Sequence, residues 1–342
     1  MNKQRTLVIS ILGIGALVIG YGLHYHVVQV KAAKLDHISA PASLFPAGSV
    51  WTQDISHAPL DPQSSTIIAW LADAGGWGFG KMNVDFSLRV LQADASTPQV
   101  PFRKGSGFYT EESDMVSTIP LPRGGGIEGE PGYQCNPEQG DCHLIVADRG
   151  HGKLYEAYQA NYADGALSAT DLVVWDLNRI YPPSGRGDQC TSADAAGFPI
   201  APLLFNADEL AAGSINHAIR FILPNPRMRA HVFVHPATHA GAPLGPVTAP
   251  PMGAHFRLKA SFDLSKLTPA AQVVARAMQK YGMFLSDGGN MALTAQNDRD
   301  TTAKYTDMDF GPHDLQALKV TDFEVLELGT PIRRDSDCVL NR

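Results

Sequence analysis

The chain of 342 residues lacks a basic patch: 27 lysines and arginines are scattered among 34 acidic residues, leaving a net charge of −7. A nucleic-acid binder needs concentrated positive charge, so nucleic acid is not an expected partner. The usual catalytic signatures are equally missing: there is no GxSxG elbow, no HExxH pair, no phosphate loop and no dinucleotide fingerprint after a strand. The glycine-rich stretches GGWGFG and GIEGEPG sit among turn-formers and read as turns. Cysteines number four, and their spacing matches no zinc site. Internal repeats are absent as well. These absences remove the motif-defined enzyme classes and leave those whose active sites are assembled from scattered side chains.

What is present is a composition able to bury a substantial core, with 44% apolar residues, together with 32 glycines and 24 prolines. That balance suits many short strands joined by turns. Lys3 and Arg5 precede an uncharged run from Thr6 to Tyr25, the pattern of an export segment that is either cleaved near Val30-Lys31-Ala32 or kept as a single-pass anchor. Residues 1–32 are therefore read as signal peptide or membrane anchor, 33–44 as linker and 45–342 as the exported domain. In an oxidising compartment four cysteines pair: Cys135 with Cys142 across a short turn, and Cys190 with Cys338 over a long range.

The clearest periodic stretch is HFRLKASFD, residues 255–263. His255, Arg257, Lys259, Ser261 and Asp263 alternate with Phe256, Leu258, Ala260 and Phe262, which predicts a strand with one buried face and one polar face. HLIVAD and LYEAYQA flank a glycine turn as a hairpin, DLVVWDL is a further strand, and INHAIRFILP with RAHVFVHP reads as a second hairpin. Two helices are expected, one from near Pro62 to Gly75-Gly76 and one capped by Thr268, started by Pro269 and stopped by Gly282, with a short third candidate after Pro312. The proline- and glycine-rich passage from Ser96 to Gly132 predicts loops that wrap the core and rim a cleft. The expected fold is mainly β: a single antiparallel β-sandwich or jelly-roll-like domain with one packed α-helix.

Chemistry is sought on that polar strand face and at strand ends. Glycoside cleavage needs two carboxyl groups brought together by the fold, with Asp194, Asp208, Glu209, Asp263, Asp287 and Glu324 as candidates. A lyase acting on uronic-acid polymers needs a cation and a base, from His217, Arg220, Arg257, Lys259 and Tyr281. His231, His235 and His239 offer a metal site only if Pro236 allows them to converge; no metal or other cofactor is assigned.

SADAAGFPIAPLLFNADELAAGSINHAIRF, PPMGAHFRLKASFD, QKYGMFLSDGG, FPAGSVWTQDIS and CHLIVADRGHGKLYEAY resemble a widespread group of secreted, largely uncharacterised bacterial proteins. The resemblance spans roughly residues 45–324 and implies an extracytoplasmic role without a reaction. Positions matching its motifs are His143, Glu156, Asp194, Glu209, His217, Arg220, His239, Lys259, Asp263, Asp287 and Glu324, whereas His231, His235 and the 135–142 loop depart from it. The resulting expectation is an exported glycoside hydrolase or polysaccharide lyase, with Glu209, His217, Lys259 and Asp263 catalytic and His143, Asp194, Arg220, His239, Arg257, Tyr281 and Glu324 holding an envelope glycan. The alternative is a glycan- or protein-binding envelope module.

Overall fold

The structure, a computed structural model, describes residues 38–341 other than 137 and 139. The expected export segment lies outside the described residues, and among these no helix is long and apolar enough to cross a membrane. In chain order the strands are β1 (Val84–Leu88), β2 (Leu91–Gln92), β3 (Gln99–Lys104), β4 (Thr118–Pro120), β5 (Leu144–Asp148), β6 (Lys153–Tyr158), β7 (Asn161–Ala163), β8 (Ala166–Ala169), β9 (Asp171–Asp176), β10 (Ile219–Leu223), β11 (Val232–Phe233), β12 (His255–Leu258), β13 (Met283–Gly288), β14 (Leu293–Gln296), β15 (Phe323–Val325) and β16 (Ile332–Arg333). The helices are α1 (Ser64–Asp73), α2 (Ala207–Ala211) and α3 (Pro269–Lys280).

Four sheets result. A six-stranded sheet has the order β1-β14-β10-β13-β12-β15, two four-stranded sheets run β2-β5-β6-β9 and β4-β3-β8-β7, and β11 pairs with β16 alone. The antiparallel sandwich expected from the sequence is corrected here, because β1/β14, β10/β13, β2/β5 and β3/β8 are parallel pairs. Strand patterning reports burial, and burial does not distinguish the two directions.

The β2-β5-β6-β9 sheet explains why its strands are apolar on both faces. Along β5, Ile145 and Ala147 enter the large core shared with the six-stranded sheet, and Leu144 and Val146 enter a smaller core shared with β3, β4 and β8. Period-two alternation thus divides one strand between two cores. β5 and β6 form the expected hairpin, pairing from Leu144↔Ala157 to Asp148↔Lys153. The other expected hairpin does not form: β10 lies in the six-stranded sheet and β11 pairs with the C-terminal β16. The stretch after Pro312 forms turns, with a 3-10 turn only at Val320–Asp322. Both expected disulfides, Cys135–Cys142 and Cys190–Cys338, are present, which fits an oxidising compartment.

Helix α3 follows its sequence signals. Thr268 accepts a hydrogen bond from Ala271 N–H, Pro269 opens the first turn, and Tyr281 and Gly282 both donate to Ala277 O. Val274, Ala277 and Met278 are buried, and the helix packs on β12. Gly282 has φ +71°, and a Cβ there would lie 2.6 Å from both His255 Nε2 and Phe256 O. Gly282→Ala should therefore lower stability by roughly 2–4 kcal/mol in urea unfolding. At Gly213, with φ +76° and open space around it, the same change should cost only about 1 kcal/mol.

Candidate functional site

Arg220 sits in the middle strand pairs of the six-stranded sheet and is 3% exposed. Being unable to shed its proton, a buried guanidinium requires counter-charge and acceptors. Three neighbours supply them. Its side chain donates to Asp194 Oδ1 at 2.5 Å, to Thr294 Oγ1 at 2.8 Å and to Asp287 Oδ2 at 3.4 Å. Thr294 comes from β14, which runs antiparallel to β10. Asp287 comes from β13 through a bulge: Phe221 pairs with Leu285 but Ile222 pairs with Asp287. Skipping Ser286 turns Asp287 onto the face that carries Arg220, the kind of re-aiming that a bulge provides.

Asp194 is fully buried, and desolvation raises its pKa to about 6 against the pull of Arg220. Nearby Glu156, on β6, is also fully buried and accepts from Trp175 Nε1–H, Ile200 N–H and Ala201 N–H, with burial raising its pKa to about 7. Together they fasten the segment from Ser192 to Ala201 over the sheet.

Above this floor lies a recess of about 530 Å³, lined by residues that include Tyr109, Glu112, Asp141, His143, Tyr158, His239, Asp287 and Arg334. His143 places Nδ1 2.7 Å from Glu128 Oε2 and Nε2 2.9 Å from Ala193 O. Both partners are acceptors, so both ring nitrogens carry protons and the ring is an imidazolium. Burial opposes that charge, but Glu128 prevails and lifts the His143 pKa to about 9. Glu128 is correspondingly lowered to about 2, its own burial being outweighed by His143.

Two further groups face the recess with chemistry to offer. Asp141 stands at the rim with no side-chain hydrogen bond in the described protein; desolvation outweighs the opposing His143 charge, and Glu128 and Asp287 add to it, so its pKa is raised. His239 donates from Nδ1 to Ala195 O at 2.9 Å, and burial, helped by Arg334, lowers its pKa. Its neutral ring therefore keeps a lone pair on Nε2, which has no partner among the described residues.

The expected site residues are thus divided. His143, Asp194, Arg220 and His239 meet in or beneath this recess. Glu209 and His217 meet in a second recess, of about 400 Å³, where Nε2 of His217 lies 3.1 Å from Glu209 Oε1 and Nδ1 lies 2.7 Å from Ala218 O. Glu209 Oε2 also accepts from Asn206 N–H, closing the capping box of α2, and Asp300 is held bidentately by Arg89. The charged groups there are occupied by the fold.

The polar face of β12 is occupied too. The strand spans only His255–Leu258, four residues against the nine expected. Arg257 pairs with Glu324 across β15 at 2.7 Å and donates to Ile55 O and Ala58 O. Lys259, half-buried, donates to Thr321 O, and Asp263 caps a 3-10 turn through Ser265. The structure does not bring Lys259 or Asp263 to Glu209 and His217. Tyr281 is core, its carbonyl accepting from His255 Nε2–H, while the His255 ring stacks on Phe284. His231, His235 and His239 do not converge: His235 pairs with Asp188, and no group of three metal-ligating side chains occurs among the described residues.

Asp141, Tyr158 and Arg334 were not selected from the sequence. The available signal was cysteine: Asp141 adjoins Cys142, and Arg334 lies four residues before Cys338.

The His143–Glu128 pair sets a stability window. His143, at about 9 against 6.5, stabilises fully below pH 6.5 and loses that contribution as pH rises through 9. Glu128, at about 2 against 4.5, stabilises above pH 4.5 and loses that contribution as pH falls through 2. Glu128→Gln should cost roughly 2–3 kcal/mol at pH 5.5, shrinking by pH 9.5. Urea unfolding at the two pH values checks this, and an unchanged difference would contradict the imidazolium assignment. No protein-family model, curated protein or solved structure matches the chain.

Proposed function

We propose that the protein is an exported glycoside hydrolase that cuts an extracellular or envelope polysaccharide in the recess above Arg220. The observation that carries this reading is the presence, in one recess, of two carboxyl groups in contrasting settings. Asp141 is raised by desolvation at the rim, whereas Asp287 is hydrogen-bonded by Gly288 N–H at 2.7 Å and faces the Arg220 guanidinium. Hydrolysis of a glycosidic bond uses such a division, one carboxyl protonating the leaving oxygen and the other acting as carboxylate base or nucleophile. Asp141 is assigned the acid and Asp287 the second role, and Tyr109 and Tyr158 offer rings and hydroxyls to a sugar.

The two disulfides support placement outside the cytoplasm, and the apolar run after Lys3 and Arg5 supports export or tethering to a membrane. A second reading, elimination, is favoured by one observation, the free Nε2 of neutral His239 beside the Arg334 cation.

A screen of neutral and acidic polysaccharides, following reducing ends and the absorbance of unsaturated uronates in parallel, separates the outcomes. Hydrolysis gives reducing ends alone, and both Asp141→Asn and Asp287→Asn should lower kcat by roughly 100-fold or more. Reducing ends with unsaturation, abolished by His239→Ala, would replace hydrolysis with elimination. Binding without cleavage of any substrate would leave a glycan-binding module.

A further inference from the structure

Asp141, Asp287, Glu112, His239 and Arg334 line one recess. Of the cations lining the recess, His143 is neutralised by Glu128, but Arg334 has no carboxylate at ion-pair distance among the described residues. One terminal nitrogen of Arg334 donates to Gly241 O at 2.5 Å, and the rest of its guanidinium has no protein acceptor among those residues. A planar fork of donors left open at the rim of a recess fits a carboxylate oxygen pair.

The segment that brings Arg334 there is a strap. It begins with β16, which pairs with β11 only through Val232↔Arg333 and Phe233↔Ile332. Arg334 N–H donates to His231 O, Gln189 Nε2–H donates to Arg333 O at 3.0 Å, and Gln189 Oε1 accepts from Asp335 N–H at 2.9 Å. Four residues after Arg334, Cys338 is bonded to Cys190, in the same segment as Asp194. A ribbon of two residue pairs is marginal by itself, so the covalent link across 148 residues is the principal anchor.

We propose that Arg334 binds a carboxylate carried by the glycan, and that the Cys190–Cys338 disulfide positions it for this. The inference rests on the assignment of the recess as the glycan site and adds the substrate class: a polysaccharide that carries carboxylates. Arg220 is not the reader of that carboxylate, since Asp194 and Asp287 already neutralise it.

The test is equilibrium binding of a hyaluronan hexasaccharide and of its uncharged methyl ester to the full chain, with reducing ends followed in the same samples. The wild-type protein should prefer the acid by about tenfold. Arg334→Gln should abolish the preference by weakening the acid and leaving the ester unchanged, whereas Arg334→Lys should keep part of it. Cys190→Ser with Cys338→Ser should behave like Arg334→Gln. Gln189→Ala, a milder change that removes two hydrogen bonds from the strap, should lower the preference partway. Equal binding of acid and ester by the wild type, or a preference that survives Arg334→Gln, overturns the role of Arg334. A preference that survives loss of both cysteines overturns the role of the disulfide. Acid preference without cleavage of this or any other glycan would sustain Arg334 as carboxylate reader while defeating the hydrolase assignment, so the two failures are distinguishable.

Discussion

A guanidinium buried within a β-sheet constrains everything placed around it. Arg220 cannot neutralise itself, so its position is tolerable only where other elements converge with acceptors. Asp194 arrives on the Ser192–Ala201 segment, Thr294 on the neighbouring strand and Asp287 through the bulge at Ser286. A regular β13 would have turned Asp287 to the opposite face. The same requirement that satisfies the cation therefore builds the floor of a recess and leaves a carboxylate at its edge.

The layered arrangement supplies the walls. Because the β2-β5-β6-β9 sheet contributes to two cores, its strand ends lie between the six-stranded sheet and the outer β4-β3-β8-β7 sheet. Loops from each side meet there, with His143 at the start of β5, Tyr158 at the end of β6 and Tyr109 from the passage between β3 and β4. Glu156 couples this sheet to the Arg220 floor, since its carboxyl holds the N–H groups of Ile200 and Ala201 while lying against Trp175. The segment from Gln189 to Gly197 joins to His239 through Gln189 N–H to Thr238 O and His239 N–H to Ala196 O. Gly197 is required at this junction: φ is +81°, and a Cβ would fall 2.0 Å from Thr238 Oγ1.

Local signals were legible where the chemistry is local. Helix α3 could be placed by Thr268, Pro269 and Gly282 because capping depends on neighbouring backbone groups, and α1 by its closing glycines. Alternation at His255–Asp263 correctly marked Phe256 and Leu258 as buried, yet period two says nothing of what the other face meets. That face meets Glu324 on β15, a long-range partner that turns a row of polar side chains into a structural ion pair. His143, Asp194, Arg220, His239 and Asp287, spread over 145 residues of sequence, are brought together by the fold. Parallel pairing and the bulge in β13 had no sequence signal, because each is settled by which distant strand lies alongside, and the strap carrying Arg334 was marked only by Cys338.

The proposal of glycan chemistry above Arg220 leaves the β12 face and the Glu209–His217 recess with structural roles. Its most direct test is the location of a cleavage-resistant, thio-linked oligosaccharide of the polymer that the protein recognises, determined in a crystal of the complex. A sugar ring between Asp141 and Asp287, above the Arg220–Asp194 pair, is the expected result. A ligand seated instead along Arg257 and Lys259, or beside His217, would contradict it.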